Sequence, residues 1–151
     1  MKKVLLILLN VLTVTLIGCA SYSDYSASTI RLSQNIDHIP ADTVIVATSE
    51  ASYRVAKGTQ IIEKSGIYKT SDNIYDEDGE KILIPRHAII SGIYSNDGIH
   101  CKITWKSIYR DMDSYYNKQG SFSLARRTHP SYCDAERGVK SGDKVTIKFK
   151  N

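Results

Sequence analysis

The chain has 151 residues, a formal charge of +4, 42% hydrophobic and 9% aromatic residues. That length suits one ordinary domain with a single core, and the small charge, carried on dispersed basic residues, argues against nucleic acid as the main partner. The loose group Arg126, Arg127, Arg137 and Lys140 reads as a solvated face rather than a polyanion site.

Lys2 and Lys3 precede an apolar stretch, Val4 to Ile17, broken only by Asn10, Thr13 and Thr15. It is shorter than the about 20 residues that a membrane span takes, so residues 1–18 read as a signal peptide. The run Leu16-Ile17-Gly18-Cys19 resembles the lipobox of bacterial lipoproteins. The resemblance implies cleavage before Cys19 and lipidation of that cysteine; the alternative is a plain secretory signal that contains a cysteine. Each buried methylene of an acyl chain contributes about 0.8 kcal/mol, so two or three chains hold a protein at a bilayer far longer than one. Ala20, rather than Asp, follows the cysteine, which by the same resemblance implies an outer-membrane lipoprotein facing the periplasm. In a Gram-positive host it implies the outer face of the single membrane. Loss of Lys2 and Lys3 lowers the formal charge from +4 to +2.

With Cys19 acylated, an even pair remains, Cys101 and Cys133. In an oxidising compartment these are expected to form a disulfide, and closing a loop of that length stabilises by about 4 kcal/mol on the chain-entropy estimate.

Residues 19–41 are rich in Ser and poor in large aliphatic residues, which predicts a lipidated flexible tether. Tyr22 and Tyr25 would make it a docking segment only on a second reading. Ile30 to Ile36 suits a helical turn that Pro40 stops. From residue 42 to 151 the pattern is short β-type runs between turn residues, so the fold class expected is all-β, a small antiparallel β-barrel or sandwich. Thr43 to Thr48 suits a central strand, which Tyr53-Arg54-Val55 continues or pairs. Lys57-Gly58-Thr59 turns the chain, and Gln60 to Glu63 and Ile67 to Lys69 are weaker strands divided by Ser65-Gly66.

Asp78-Gly79 and Asp97-Gly98 are hairpin signals, because both central residues of a type I′ turn need positive φ. A two-residue loop at Asp97-Gly98 pairs Tyr94 with Cys101, Gly92 with Ile103 and Ile90 with the single Trp, Trp105. All six then share one face with Ala88 and Ile99, while His100, Lys102, Thr104 and Lys106 point away. At Asp78-Gly79 the same loop would set Glu77 across from Glu80, which favours a longer connection. Lys81 to Ile84 lacks alternation and suits a strand covered on both faces, ended by Pro85. Arg110 to Gly120, with Tyr115 and Tyr116, is either a loop or a short helix. Ser121 to Ala125 is another strand candidate, and Lys144 to Lys150 alternates strictly, with Val145, Ile147 and Phe149 inward and lysines protecting an edge.

Little in this pattern suggests catalysis. His100, Cys101, His129 and Cys133 could in principle hold zinc, but the adjacent His100 and Cys101 would point to opposite faces of a strand, and the disulfide is preferred. There is no G-x-S-x-G elbow, no phosphate-cradling glycine loop and no EF-hand spacing. The carboxylates of Asp72 to Glu80 form an acidic hairpin expected to be exposed. No catalytic residue, metal or cofactor is expected.

Gly58-Thr59 with Ile61, Asp78-Gly79, Ile82-Leu83-Ile84-Pro85-Arg86, Gly92 with Tyr94, and Trp105 with Ile108 resemble, in order, the landmarks of the carboxyl-terminal β-barrel domain of TrbI-like scaffold proteins of type IV secretion and conjugation. His87 and Ala88 stand where that family has glycine after the basic residue. The resemblance implies a lipid-tethered barrel that serves as a structural or accessory subunit of a cell-envelope complex, with protein partners and a membrane anchor. The other reading is a stand-alone envelope lipoprotein that binds a ligand or protein, for which Tyr115, Tyr116, Arg126 and Arg127 are the first contacts, since aromatic and Arg side chains are favoured at interfaces.

Overall fold

The computed structural model describes residues 39–150 except Ala56, Lys57 and Thr59. The chain divides into units of residues 1–31 and 32–151, and everything described belongs to the second. The expected signal peptide, Cys19, the expected helical turn at Ile30 to Ile36 and almost all of the expected tether lie outside the described residues. Ile39 already packs against the core, and Thr43 N–H and Oγ1 both donate to the Pro40 carbonyl, so ordered structure is present three residues before the expected boundary at 42.

The described fold is all-β, a curled antiparallel sheet forming a half-barrel. Its strands are β1 (Val44–Ser49), β2 (Ile62–Thr70), β5 (Ile89–Asn96), β6 (Cys101–Tyr109), β7 (Phe122–Ser123), β8 (Ser131–Cys133) and β9 (Lys144–Lys148). They run in the order β7-β6-β5-β2-β1-β9, and β8 pairs with the other end of the edge of β6 that β7 occupies. A separate two-stranded ribbon joins β3 (Ile74–Tyr75) to β4 (Ile82–Ile84), and one short helix, α1 (Met112–Asn117), follows β6. Among the described residues no helix is long and apolar enough to cross a membrane.

Period-2 alternation decides which face each strand buries. Ile45, Ala47, Tyr68, Ile90, Tyr94, Ile103, Trp105, Ile108 and Ile147 form the core cluster on the concave face, joined by Ile84, Leu124, Val139 and Phe149. Along β9 and the residue after it, Ile147 and Phe149 are buried and Val145 packs beside them, as the alternation predicts. The curl brings β9 toward β8 through a bridge between Thr128 and Phe149 and a hydroxyl relay. Trp105 Nε1 donates to Ser131 Oγ at 2.9 Å, and Ser131 Oγ donates to the Thr146 carbonyl.

The central hairpin keeps the expected faces but not the expected register. Tyr94 pairs with Ile103, Gly92 with Trp105 and Asn96 with Cys101. The turn centre has moved one residue, to Gly98-Ile99. Asp97 N–H donates to the His100 carbonyl at 3.2 Å, Asp97 Oδ1 accepts from Ile99 N–H and His100 N–H, and Gly98 takes φ 90°. Shifting a turn centre by one moves every pair by two, which preserves the side-chain faces, so Tyr94, Cys101, Ile90, Ile103 and Trp105 are all buried. Ile99, expected beside them, sits in the turn and is 80% exposed. A bulge opposite Ser91 and Gly92 then inserts Lys106 and keeps Ile108 on the core face, paired with Ile90.

Ser65-Gly66 does not divide two strands either. Gly66 lies inside β2, directly across from Gly92 of β5. The glycine pair leaves a gap on the core face that two rings fill: a Cβ at Gly66 would lie 1.6 Å from Tyr53 Oη, and one at Gly92 would lie 3.0 Å from Trp105 Cε3. Glycine within a strand here marks close approach rather than a break. Tyr53-Arg54-Val55 accordingly forms no strand; Tyr53 stacks on Tyr94 at 4.9 Å between centroids and its N–H donates to the Val139 carbonyl.

The first hairpin has the longer connection expected, with Asp76 N–H donating to the Lys81 carbonyl and Asp76 Oδ1 accepting from Glu80 and Lys81 N–H. In β4 the adjacent Leu83 and Ile84 are both buried, so that part of the strand is covered on both faces, while Ile82 is 44% exposed.

Candidate functional site

Cys101 and Cys133 are directly opposite on β6 and β8 and form a disulfide. Both sulfurs are thereby removed from any thiolate ligand set, and the His100 ring rests 3.3 Å from Asp97 Oδ2. Among the described residues no three His, Cys, Asp or Glu side chains gather in a metal-binding group.

Tyr115 and Tyr116 lie on α1, which resolves the loop-or-helix alternative. Asp111 caps it, its carboxylate accepting from Ser114 N–H at 2.8 Å. Tyr115 meets Tyr109 edge-on at 5.2 Å and Tyr116 at 5.7 Å, with Lys118 Nζ 4.4 Å from the Tyr115 centroid. Tyr116 is 70% exposed. Arg126 and Arg127 are exposed in the turn after β7, and the Arg127 guanidinium covers the Phe122 ring at 4.8 Å.

The aromatic rings that support Tyr115 and Arg127 have different places on the sheet. Tyr109 pairs with Ile89, whereas Phe122 pairs with Ile108; Ile108 belongs to the concave core, against which Phe122 packs, and its neighbour Tyr109 is buried outside that cluster. Tyr115 and Arg127 are thus supported through neighbouring positions of β6, Tyr109 and the partner of Phe122, Ile108.

A different set does converge, at the corner Pro85–Ala88 between β4 and β5. Buried Thr70 holds that corner with four hydrogen bonds: its Oγ1 donates to the Pro85 carbonyl and accepts from Ala88 N–H, both at 2.9 Å, its carbonyl accepts from His87 N–H, and its N–H donates to the Ala88 carbonyl. Asn73 Oδ1 accepts from Arg86 N–H at 2.6 Å. The corner forces His87 to φ 65°, a left-handed conformation that costs a non-glycine residue about 1 kcal/mol. Arg86 and His87 are exposed.

Below them, Lys144, Thr48 and Lys69 form one rung across β9, β1 and β2. Directly opposite residues share a face, and Ala47 is buried on the other one, so this rung lies on the outer face. Lys69 Nζ pairs with Glu50 at 3.4 Å, and Thr48 Oγ1 approaches Ser71 Oγ at 3.4 Å. Together with Asp72 these residues line a cleft of about 480 Å³. The sequence shows Arg86 and His87 as a conspicuous corner and Lys144 as outward, but only strand order brings Lys144 beside Thr48, 96 positions earlier by number.

No protein-family model matches the chain, and no curated protein matches it at significant similarity.

Proposed function

We propose that this protein is an envelope lipoprotein, anchored through Cys19, whose half-barrel serves as a structural or accessory subunit of a cell-envelope complex. The observation that carries this reading is the Cys101–Cys133 disulfide. A stable disulfide belongs in an oxidising compartment, which is where a chain with the Leu16 to Cys19 lipobox would be delivered. The outer membrane, facing the periplasm, is the location that Ala20 favours.

Type IV secretion and conjugation are the systems that the TrbI-like landmarks suggest. His87 supports that finer reading, because its φ of 65° is the conformation that the family's glycine would adopt without strain. No residue is assigned a catalytic role, and neither nucleic acid nor a cofactor is part of the reading.

Mass spectrometry of the protein extracted from membranes should show an acylated amino-terminal Cys19, and Cys19→Ala should abolish the acyl mass and release the protein from the membrane. Crosslinking in intact cells followed by affinity purification should recover other envelope-complex subunits. An acylated protein recovered without such subunits overturns the assembly role and leaves the stand-alone binding lipoprotein, a reading that the cleft at the Pro85–Ala88 corner favours. An unmodified Cys19 overturns the anchor itself.

A further inference from the structure

The cleft beside the Pro85–Ala88 corner brings together side chains from four separated segments, and its donors approach from several directions. Lys144 and Lys69 flank Thr48 on the floor. Neighbouring strands lie about 4.8 Å apart, so the two lysine Cα atoms straddle a gap of about 10 Å, wide enough for a small anion between their ammonium groups. Thr48 and Ser71 place two hydroxyls in that floor. Arg86 and His87 form the wall, on a corner fixed by Thr70 and Asn73 rather than on a loose loop. Two carboxylates share the lining: Glu50, paired with Lys69, and Asp72. The three Lys and Arg residues therefore exceed the two acids by one formal charge.

We infer that this cleft binds a phosphate group, carried either by free phosphate or by the headgroup of an anionic lipid. Donors converging from the floor and one wall match a tetrahedral oxyanion, with acceptor oxygens in several directions. A planar carboxylate would engage the arginine and leave the hydroxyl floor unused. The lysines supply point charges that adapt to the oxygens, while Arg86 supplies a directed fork. Glu50 and Asp72 keep the site weak and make it sensitive to salt. The inference goes beyond the anchoring reading, because phosphate binding and Cys19 acylation are read by separate measurements.

The test is a titration of the purified full-length protein in detergent, followed by backbone amide chemical shifts. Inorganic phosphate, a water-soluble short-chain phosphatidic acid, a short-chain phosphatidylcholine and acetate are the probes. Phosphate or phosphatidic acid should saturate shifts at Thr48, Lys69, His87 and Lys144, and Arg86→Gln or Lys144→Gln should each weaken binding by about tenfold or more. Saturation by both identifies the phosphate as sufficient; saturation by phosphatidic acid alone identifies the lipid as the source. The proposal is overturned if neither saturates below about 10 mM, or if acetate binds as well as phosphate, which would make the cleft a carboxylate site. It is also overturned if the two variants bind unchanged. Parent-like amide chemical shifts in the concave core of Arg86→Gln and Lys144→Gln serve as the folding control.

Discussion

Ala47 and Thr48 are neighbours in β1, and Tyr68 and Lys69 are neighbours in β2, yet each pair divides between two different environments. Ala47 and Tyr68 are fully buried in the concave core, whereas Thr48 and Lys69 floor an open polar cleft. One strand position separates a side chain fixed by packing from one presented to solvent. The concave face is thus where substitutions should alter stability, and the outer surface of β9, β1 and β2 beside the cleft is where they should alter binding. Arg86→Gln and Lys144→Gln, both on exposed positions, should change unfolding free energy by less than about 0.5 kcal/mol, even though they weaken phosphate binding.

The largest effect is expected at Trp105. Its ring is 1% exposed, packs edge-on against Tyr68 at 4.9 Å, fills the gap above Gly92 and anchors the relay through Ser131 to β9. Trp105→Ala should destabilise by about 3 to 5 kcal/mol, read from urea unfolding. A loss below about 1 kcal/mol would break the comparison, because such a value belongs to a surface site. The disulfide comes next. Its half-cystines are 32 positions apart, so Cys101→Ala with Cys133→Ala should cost about 3 to 4 kcal/mol by unfolded-chain entropy, with the folded sheet retained. Equal urea midpoints for the double variant and the parent would show that the pairing in β6 and β8 makes the crosslink redundant.

The two faces were not equally legible in the sequence. Alternation alone placed Tyr94, Cys101, Trp105, Ile147 and Phe149 inward, because a buried face leaves a period-2 record in each strand by itself. The register of the central hairpin was not legible, since Asp97-Gly98 satisfies the rule for a type I′ centre and nothing local reveals that the Asp97 carboxylate will take the N–H groups of Ile99 and His100. Gly66 misled for a related reason: a glycine between two weak β runs looks like a break until the ring of Tyr53 is found against it. The cleft was the least visible, because Lys144, Thr48 and Lys69 meet only through the strand order β2-β1-β9, and outward polar residues carry no pattern that says which of them will be neighbours.

The Gly66 explanation can be sharpened directly. A methyl at that position would meet the Tyr53 hydroxyl at 1.6 Å, so Gly66→Ala must push the ring from its place against Tyr94, at a cost of about 1 to 3 kcal/mol. Combining it with Tyr53→Ala should give far less than the sum of the two single losses, since the clash is gone once the ring is removed; additive values would mean that the glycine is required for another reason. Among the described residues the buried hydroxyls of Tyr53 and Tyr68 meet no partner at good hydrogen-bond geometry, although they lie close enough to interact with each other, and burial is the largest cause that raises both phenol pKa values. Tyr68→Phe removes an unsatisfied group while keeping the ring, so it should be neutral or stabilising by up to about 1 kcal/mol, read by thermal unfolding. A clear loss would point to a buried water serving that hydroxyl.

The smallest effect concerns acid, and it falls on two turn carboxylates, Asp97 and Asp143. His100 and Ile99 N–H groups hold the Asp97 carboxyl down to about 2 from its ordinary 3.8. Arg137, through paired contacts at 2.7 and 2.9 Å, with Lys140 N–H, does the same for Asp143. A folded-state pKa below the unfolded one contributes stability that is present above the unfolded value and lost as pH falls through the folded one. The urea midpoint should therefore hold down to about pH 4 and decline between about 4 and 2. Both carboxylates are half-buried at the surface and still reached by solvent, so screening keeps the decline small. Asp97→Asn with Asp143→Asn keeps one acceptor oxygen at each site, loses one of the two that Asp143 offers Arg137, and removes both titrations, so it should flatten that part of the curve from a lower starting midpoint. If variant and parent decline in parallel, the acid sensitivity resides in other carboxylates and these two turns are held by neutral hydrogen bonding alone.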